Sequence, residues 1–159
     1  MGVFEASDIV EVAIRIEENG ANFYKFAEQI AKQEEAKNLF AQLAEAEAAH
    51  KRIFEGIFAS MEKLSPPESY QGEYKAYLRN YVDNNIIFTK EVMDKELANV
   101  KDTISALDFA IKRELDSILY YHEIKNLVSA AQHKALEQII EEERKHFSTL
   151  TEMKKRFLS

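Results

Sequence analysis

Apolar residues recur every third or fourth position in four long stretches, the spacing that lines one face of an α-helix. The last stretch, from about Gln132 to Phe157, shows it without a break. Leu136, Ile139, Glu143, His146, Leu150, Met153 and Phe157 follow one another at core positions. From Ser7 to about Lys32 one stripe reads Val10, Ala13, Ile14, Glu17, Ala21 and Tyr24. Beside it lies a second, of Ile9, Val12, Ile16, Phe23 and Ile30. From Glu34 to Met61 the stripe is Phe40, Leu43, Glu47, His50, Phe54, Ile57 and Met61. From Asp102–Thr103 to about Val128 it is Leu107, Ala110, Ile111, Glu114, Ile118, Tyr121 and Val128. Ser7 is the predicted N-cap of the first helix, with Asp8 and Glu11 in the first turn, where the helix dipole favours acids.

The short link between the first two helices predicts antiparallel neighbours. Ser65-Pro66-Pro67 stops helix formation, and residues 68–102 join the two halves. Within that connector Tyr70, Tyr74, Tyr77 and Tyr81 recur at helical spacing. They predict a short amphipathic helix that packs on the bundle or on a second subunit. Thr89 is placed to cap another short helix ending near Leu97. The expected fold is all-α: one domain over residues 1–159, an antiparallel four-helix bundle of two helical hairpins joined by a long helical connector.

Composition narrows the function classes. Four glycines and two prolines in 159 residues leave little to break helices, and a net charge of −7 argues against nucleic acid and anionic membrane as partners. Cysteine is absent, which removes disulfides, thiolate zinc sites, iron–sulfur clusters and a catalytic thiol. MGVFEASD has neither a basic nor an apolar leader region, Ala6 stands where a myristoylation motif wants Ser or Thr, and no apolar run reaches bilayer length. The expectation is a cytoplasmic protein that binds neither membrane nor nucleic acid.

Four carboxylates and two imidazoles interrupt the core stripes. A buried acid is costly unless something compensates it, and Glu17, Glu47, Glu114 and Glu143 all stand where Leu or Ile belongs. They are also duplicated. AIRIEENGANFY (from Ala13) aligns with AIKRELDSILYY (from Ala110), placing Glu17 on Glu114 and Tyr24 on Tyr121. LAEAEAAH (from Leu43) aligns with IIEEERKH (from Ile139), placing Glu47 on Glu143 and His50 on His146. The chain reads as two copies of one hairpin, each giving a lone Glu and then Glu-x-x-His, whose i, i+3 spacing sets both side chains on one helix face. His122 and His133 have no such partner and read as surface residues.

Two interpretations of these six residues compete: a set of buried salt bridges, or the ligands of two metal ions. In the second, Glu47 and Glu143 bridge the ions, Glu17 and Glu114 each cap one, and one His serves each. Four carboxylates against two divalent ions leave the core about neutral, whereas the empty site would hold clustered acids with raised pKa values. Carboxylate with imidazole suits iron, manganese or zinc better than calcium or copper.

On Glu17 in AIRIEENGANFY, Glu47-x-x-His50, Glu114 in AIKRELDSILYY and Glu143-x-x-His146, the sequence resembles the rubrerythrin-like branch of the ferritin-like superfamily over most of both hairpins. The resemblance implies a di-iron four-helix bundle (two iron ions, Fe2+/Fe3+) with those six residues as ligands. It also implies reduction of hydrogen peroxide, with electrons from rubredoxin or a similar carrier. Tyr24 and Tyr121, seven residues after Glu17 and Glu114, match tyrosines that border the site in the family; from the residues alone, core packing with a satisfied hydroxyl serves as well. The sequence departs from rubrerythrin in two places. It has no cysteines for a rubredoxin domain, so the expected donor is a separate rubredoxin-like protein. Ser117 stands where rubrerythrin has a further Glu, which leaves a symmetric set like the ferroxidase site of bacterioferritin.

The functions to be told apart are therefore a peroxide- or dioxygen-consuming di-iron oxidoreductase, a ferroxidase or iron-handling protein, a bundle whose metal is only structural, and a manganese catalase-like enzyme. The tyrosine-rich connector and the small size predict a homodimer, with exchange of hairpins between subunits as a further possibility.

Overall fold

A computed structural model of the chain describes residues 6–60 and 90–159. Its helices are α1 (Ala6–Ile30), α2 (Glu34–Ser60), the short α3 (Lys90–Leu97), α4 (Thr103–Ile124) and α5 (Ala130–Leu158), with a 3-10 turn over Lys125–Leu127. The tyrosine stripe of the connector, the Ser65-Pro66-Pro67 stop, Met61 and the Thr89 cap lie outside the described residues.

The fold is the expected all-α antiparallel bundle. α1 packs on α2 and α4 on α5, and lighter contacts of α1 with α4 and of α2 with α5 join the two hairpins. Ser7 lies inside α1, which is already helical at Ala6, so it is not the N-cap that the sequence suggested. α1 also stops at Ile30, earlier than Lys32. The Ala31 N–H still reaches the Ala27 carbonyl, but the Lys32 N–H turns to the Thr103 hydroxyl at 3.1 Å, pinning the first hairpin turn to the start of α4. Asp102 caps α4 through a capping box with Ser105, which satisfies two donors that a helix start leaves orphaned. At its far end α4 tightens into the 3-10 turn after Ile124 instead of running to Val128, a common way for a helix to end.

The apolar interior falls into two clusters. One gathers Ile9, Val10, Ile16, Phe54, Ile57, Tyr121, Ile124, Leu136 and Ile139. The other gathers Phe23, Tyr24, Ala27, Phe40, Leu43, Leu107, Leu150 and Met153. Each cluster draws on all four long helices, and the acidic and imidazole stripe residues belong to neither. Burial of the two clusters supplies the stability that lets a polar layer sit at the bundle centre. Among the described residues no helix is long and apolar enough to cross a membrane.

Candidate metal centre

Helical spacing carries the six polar stripe residues to one level of the bundle, three from each hairpin. Glu17, Glu47, Glu114 and Glu143 are almost wholly buried. The His50 side chain is 2 % exposed and that of His146 is 15 % exposed. Their donor atoms form two overlapping groups, Glu17–Glu47–His50–Glu143 and Glu47–Glu114–Glu143–His146, each with its atoms within 4.8 Å of one another. Glu47 and Glu143 belong to both. His122 and His133 lie outside the cluster: His122 is exposed and meets Arg144, and His133 faces the Val128 carbonyl.

The two tyrosines cross the pseudo-two-fold axis. Tyr24 of α1 donates its hydroxyl to Glu114 of α4, and Tyr121 of α4 donates to Glu17 of α1. Both rings are fully buried. Burial first, and then the carboxylates around them, push both phenols well above their ordinary range, so they stay protonated as donors. Core packing and bordering the site are therefore the same placement. Ser117 is buried and donates to the Arg113 carbonyl of its own helix, so it adds no ligand.

His50 bridges the hairpins. Its Nδ1 lies 3.0 Å from Glu143 and 3.5 Å from Glu17, and its Nε2 lies 2.7 Å from Glu142. Burial pulls its pKa down, but Glu143 and Glu17 outweigh burial and push it up to about 12. His146 Nδ1 only approaches Glu143, Glu114 and Glu47, at 3.7, 3.9 and 4.0 Å. Glu47 and Glu114 are held well above the carboxylate range, by burial first and then by neighbouring acids. Glu143 goes the other way: burial would raise it, but its neighbours Glu114, His146 and His50 hold it below the usual range.

Two residues that the sequence did not single out complete the site. Arg113 is buried beside these carboxylates. Its Nη2 donates to the Ile16 carbonyl at 2.6 Å and pairs with Glu47 at 3.4 Å, and its guanidinium carbon lies 5.9 Å from the Tyr24 ring centroid. Gly20 makes the room: a Cβ there would overlap the guanidinium and the Glu47 carboxylate. Arg113 adds one positive charge that the four-against-four balance left out. Its sequence signal was its place in the repeat, where it falls on apolar Ile16. The other residue is Glu142, whose link to His50 crosses between α5 and α2.

These shifts set how the metal-free protein responds to pH. His50, with its folded pKa raised, contributes stability that is full below its ordinary 6.5 and drains away as pH rises toward about 12. Glu47 and Glu114, raised from 4.5, act in the same direction. Glu143, lowered from 4.5, contributes above that value and is lost on acidification. On these groups the metal-free protein loses stability as pH rises above 4.5, and more steeply above 6.5. In chelator, the urea midpoint should be higher near about pH 5.5 than near about pH 8. Saturating divalent metal should reverse that order, because ligands must shed protons to bind.

The residues present fit a pair of metal ions. Buried atoms without a hydrogen bond include Glu17 Oε2, Glu47 Oε1, Glu114 Oε2, Glu143 Oε2 and His146 Nδ1. One such atom is a local misfit; five on residues whose donor atoms fall into two groups within 4.8 Å are the donors a metal pair would use. The fold and the family agree with that chemistry. A ferritin-like diiron-carboxylate protein described from Thermotoga maritima shares 31 % sequence identity and a TM-score of 0.64 with this chain, covering 98 % of it and 97 % of the neighbour. No curated protein matches the chain. The profile of the rubrerythrin family matches residues 8–154, and the chain belongs to that family of ferritin-like di-iron proteins.

Proposed function

We propose that the chain is a non-haem di-iron oxidoreductase that reduces hydrogen peroxide to water. The observation that carries this reading is the set of five orphaned buried donor atoms on Glu17, Glu47, Glu114, Glu143 and His146. Glu17 with His50 would hold one ion and Glu114 with His146 the other, with Glu47 and Glu143 between them. Two redox ions side by side supply the electron pair that cleaves an O–O bond. The balance is one peroxide, two electrons and two protons to two waters. Carboxylate–imidazole donors favour iron for this work over zinc, which has no redox chemistry.

The protein's own groups then have defined tasks. Tyr24 and Tyr121 orient Glu114 and Glu17 and keep their phenolic protons. The two apolar clusters exclude water above and below the layer, which strengthens every charge interaction inside it. These 159 residues contain no cysteine and hence no iron–sulfur centre of their own, and the electron donor of this reading is a rubredoxin-like carrier. Peroxide removal under oxidative stress in the cytoplasm is the corresponding physiological role.

Stopped-flow absorbance tests this. Anaerobic protein loaded with Fe(II) should be oxidised rapidly by hydrogen peroxide, and more slowly by dioxygen. Rapid oxidation should vanish in the Glu47→Ala variant. Fully iron-loaded protein that is inert to peroxide would overturn the assignment.

A further inference from the structure

The pseudo-two-fold repeat makes the two halves of the centre equivalent in ligand type, and their surroundings are not equivalent. His50 has an outer partner, because its Nε2 meets the Glu142 carboxylate at 2.7 Å. The repeat partner of Glu142 is Ala46, so no carboxylate stands at the matching place beside His146. Among the described residues nothing hydrogen-bonds His146, whose closest carboxylate oxygen is 3.7 Å away. An outer carboxylate fixes a ligating imidazole's tautomer and ring orientation and raises its basicity. Among the described residues, His50 is held this way and His146 is not.

The charges break the symmetry in the same direction. Arg113 falls where the other copy has Ile16. It pairs with the shared Glu47 and lies against Tyr24, whose hydroxyl bonds Glu114. Arg113 also meets the Ile16 carbonyl next to Glu17, but its charge acts on Glu114 more than on Glu17, so it opposes a second cation more on the Glu114 side. His146 is also the more exposed imidazole, at 15 % against 2 %.

We infer that the two metal positions are inequivalent: Glu17–His50 fills first and holds its ion tightly through Glu142, while Glu114–His146, beside Arg113 and with Ala46 at the repeat position of Glu142, is the weaker, exchangeable position. This rests on the metal reading above and goes beyond it, since ligand types alone predict two equal positions.

Anaerobic Mn(II) titration, followed by calorimetry and by electron paramagnetic resonance, tests it. The wild-type protein should take up two ions in successive steps, with an isolated-ion spectrum at the first equivalent and a coupled pair only at the second. Glu142→Gln should weaken the first step by about tenfold or more, the usual consequence of losing an outer carboxylate, and leave the second nearly unchanged. Ala46→Glu should strengthen the second step. Glu142 is exposed and Ala46 is half-buried, and circular dichroism checks that each variant is folded. Two equal steps in wild type, or an unchanged first step in Glu142→Gln, would overturn the inference while leaving the di-metal reading intact. No uptake of Mn(II) or Fe(II) at all would overturn both.

Discussion

Metal loading should raise the thermal midpoint by roughly 15–30 °C. A ligand that binds only the folded state stabilises it by about 4 kcal/mol at a thousandfold excess over Kd, so two ions give about 8 kcal/mol. For a domain of this size each kcal/mol is worth about 2–4 °C. The physical source is the layer itself. Glu47 and Glu114 are buried, pushed toward their neutral forms and crowded by other acids, and divalent charge at the centre removes both penalties. Differential scanning calorimetry under anaerobic Fe(II) or Mn(II), with chelator as the control, measures the increment. The Glu47→Ala, Glu143→Ala double variant should lose it altogether, because it removes both shared carboxylates. An increment that survives in that variant would place the stabilising metal elsewhere.

Replacing Arg113 with methionine should lower the midpoint of the metal-free protein by roughly 6–20 °C. Removing one partner of a buried ion pair leaves the other charge uncompensated and costs about 3–5 kcal/mol, which the same scaling converts to that range. Glu47 is the charge left behind, and Arg113 opposes the rise of its pKa. Methionine keeps most of the apolar stem and should fit beside Gly20, so the loss reports charge more than volume. Two signatures separate this from a packing defect. The deficit should shrink on acidification, as Glu47 takes up a proton, and should shrink again with bound metal, which supplies the missing positive charge. A metal-free midpoint within a degree or two of wild type would show that Arg113 does not stabilise Glu47.

The fold and the six-residue set could be read from the sequence because the signals were local and duplicated. Leu136, Ile139, Leu150 and Met153 declared a buried face, and Glu143 and His146 stood out only because that face was otherwise apolar. Helix ends were less legible. The Lys32 N–H finds the Thr103 hydroxyl across 71 residues, a competition that no local pattern announces. Arg113 was missed because Lys112-Arg113 looks like an ordinary charged pair on a helix. Its burial depends on Gly20 of another helix leaving a hollow in register. Glu142 was missed for the opposite reason. It is exposed and sits in the acidic run Glu141–Glu143, and only the packing of α5 against α2 brings it to His50. Pairings across helices of this kind follow from interhelical register, which periodicity does not fix.

The central claim is that Glu47 and Glu143 lie between two ions. Anomalous diffraction at the iron edge, from crystals grown anaerobically with Fe(II), tests it most directly. The account predicts two peaks per chain, one beside Glu17 and His50 and one beside Glu114 and His146, with Glu47 and Glu143 contacting both. A single peak, or none within this cluster, would contradict it.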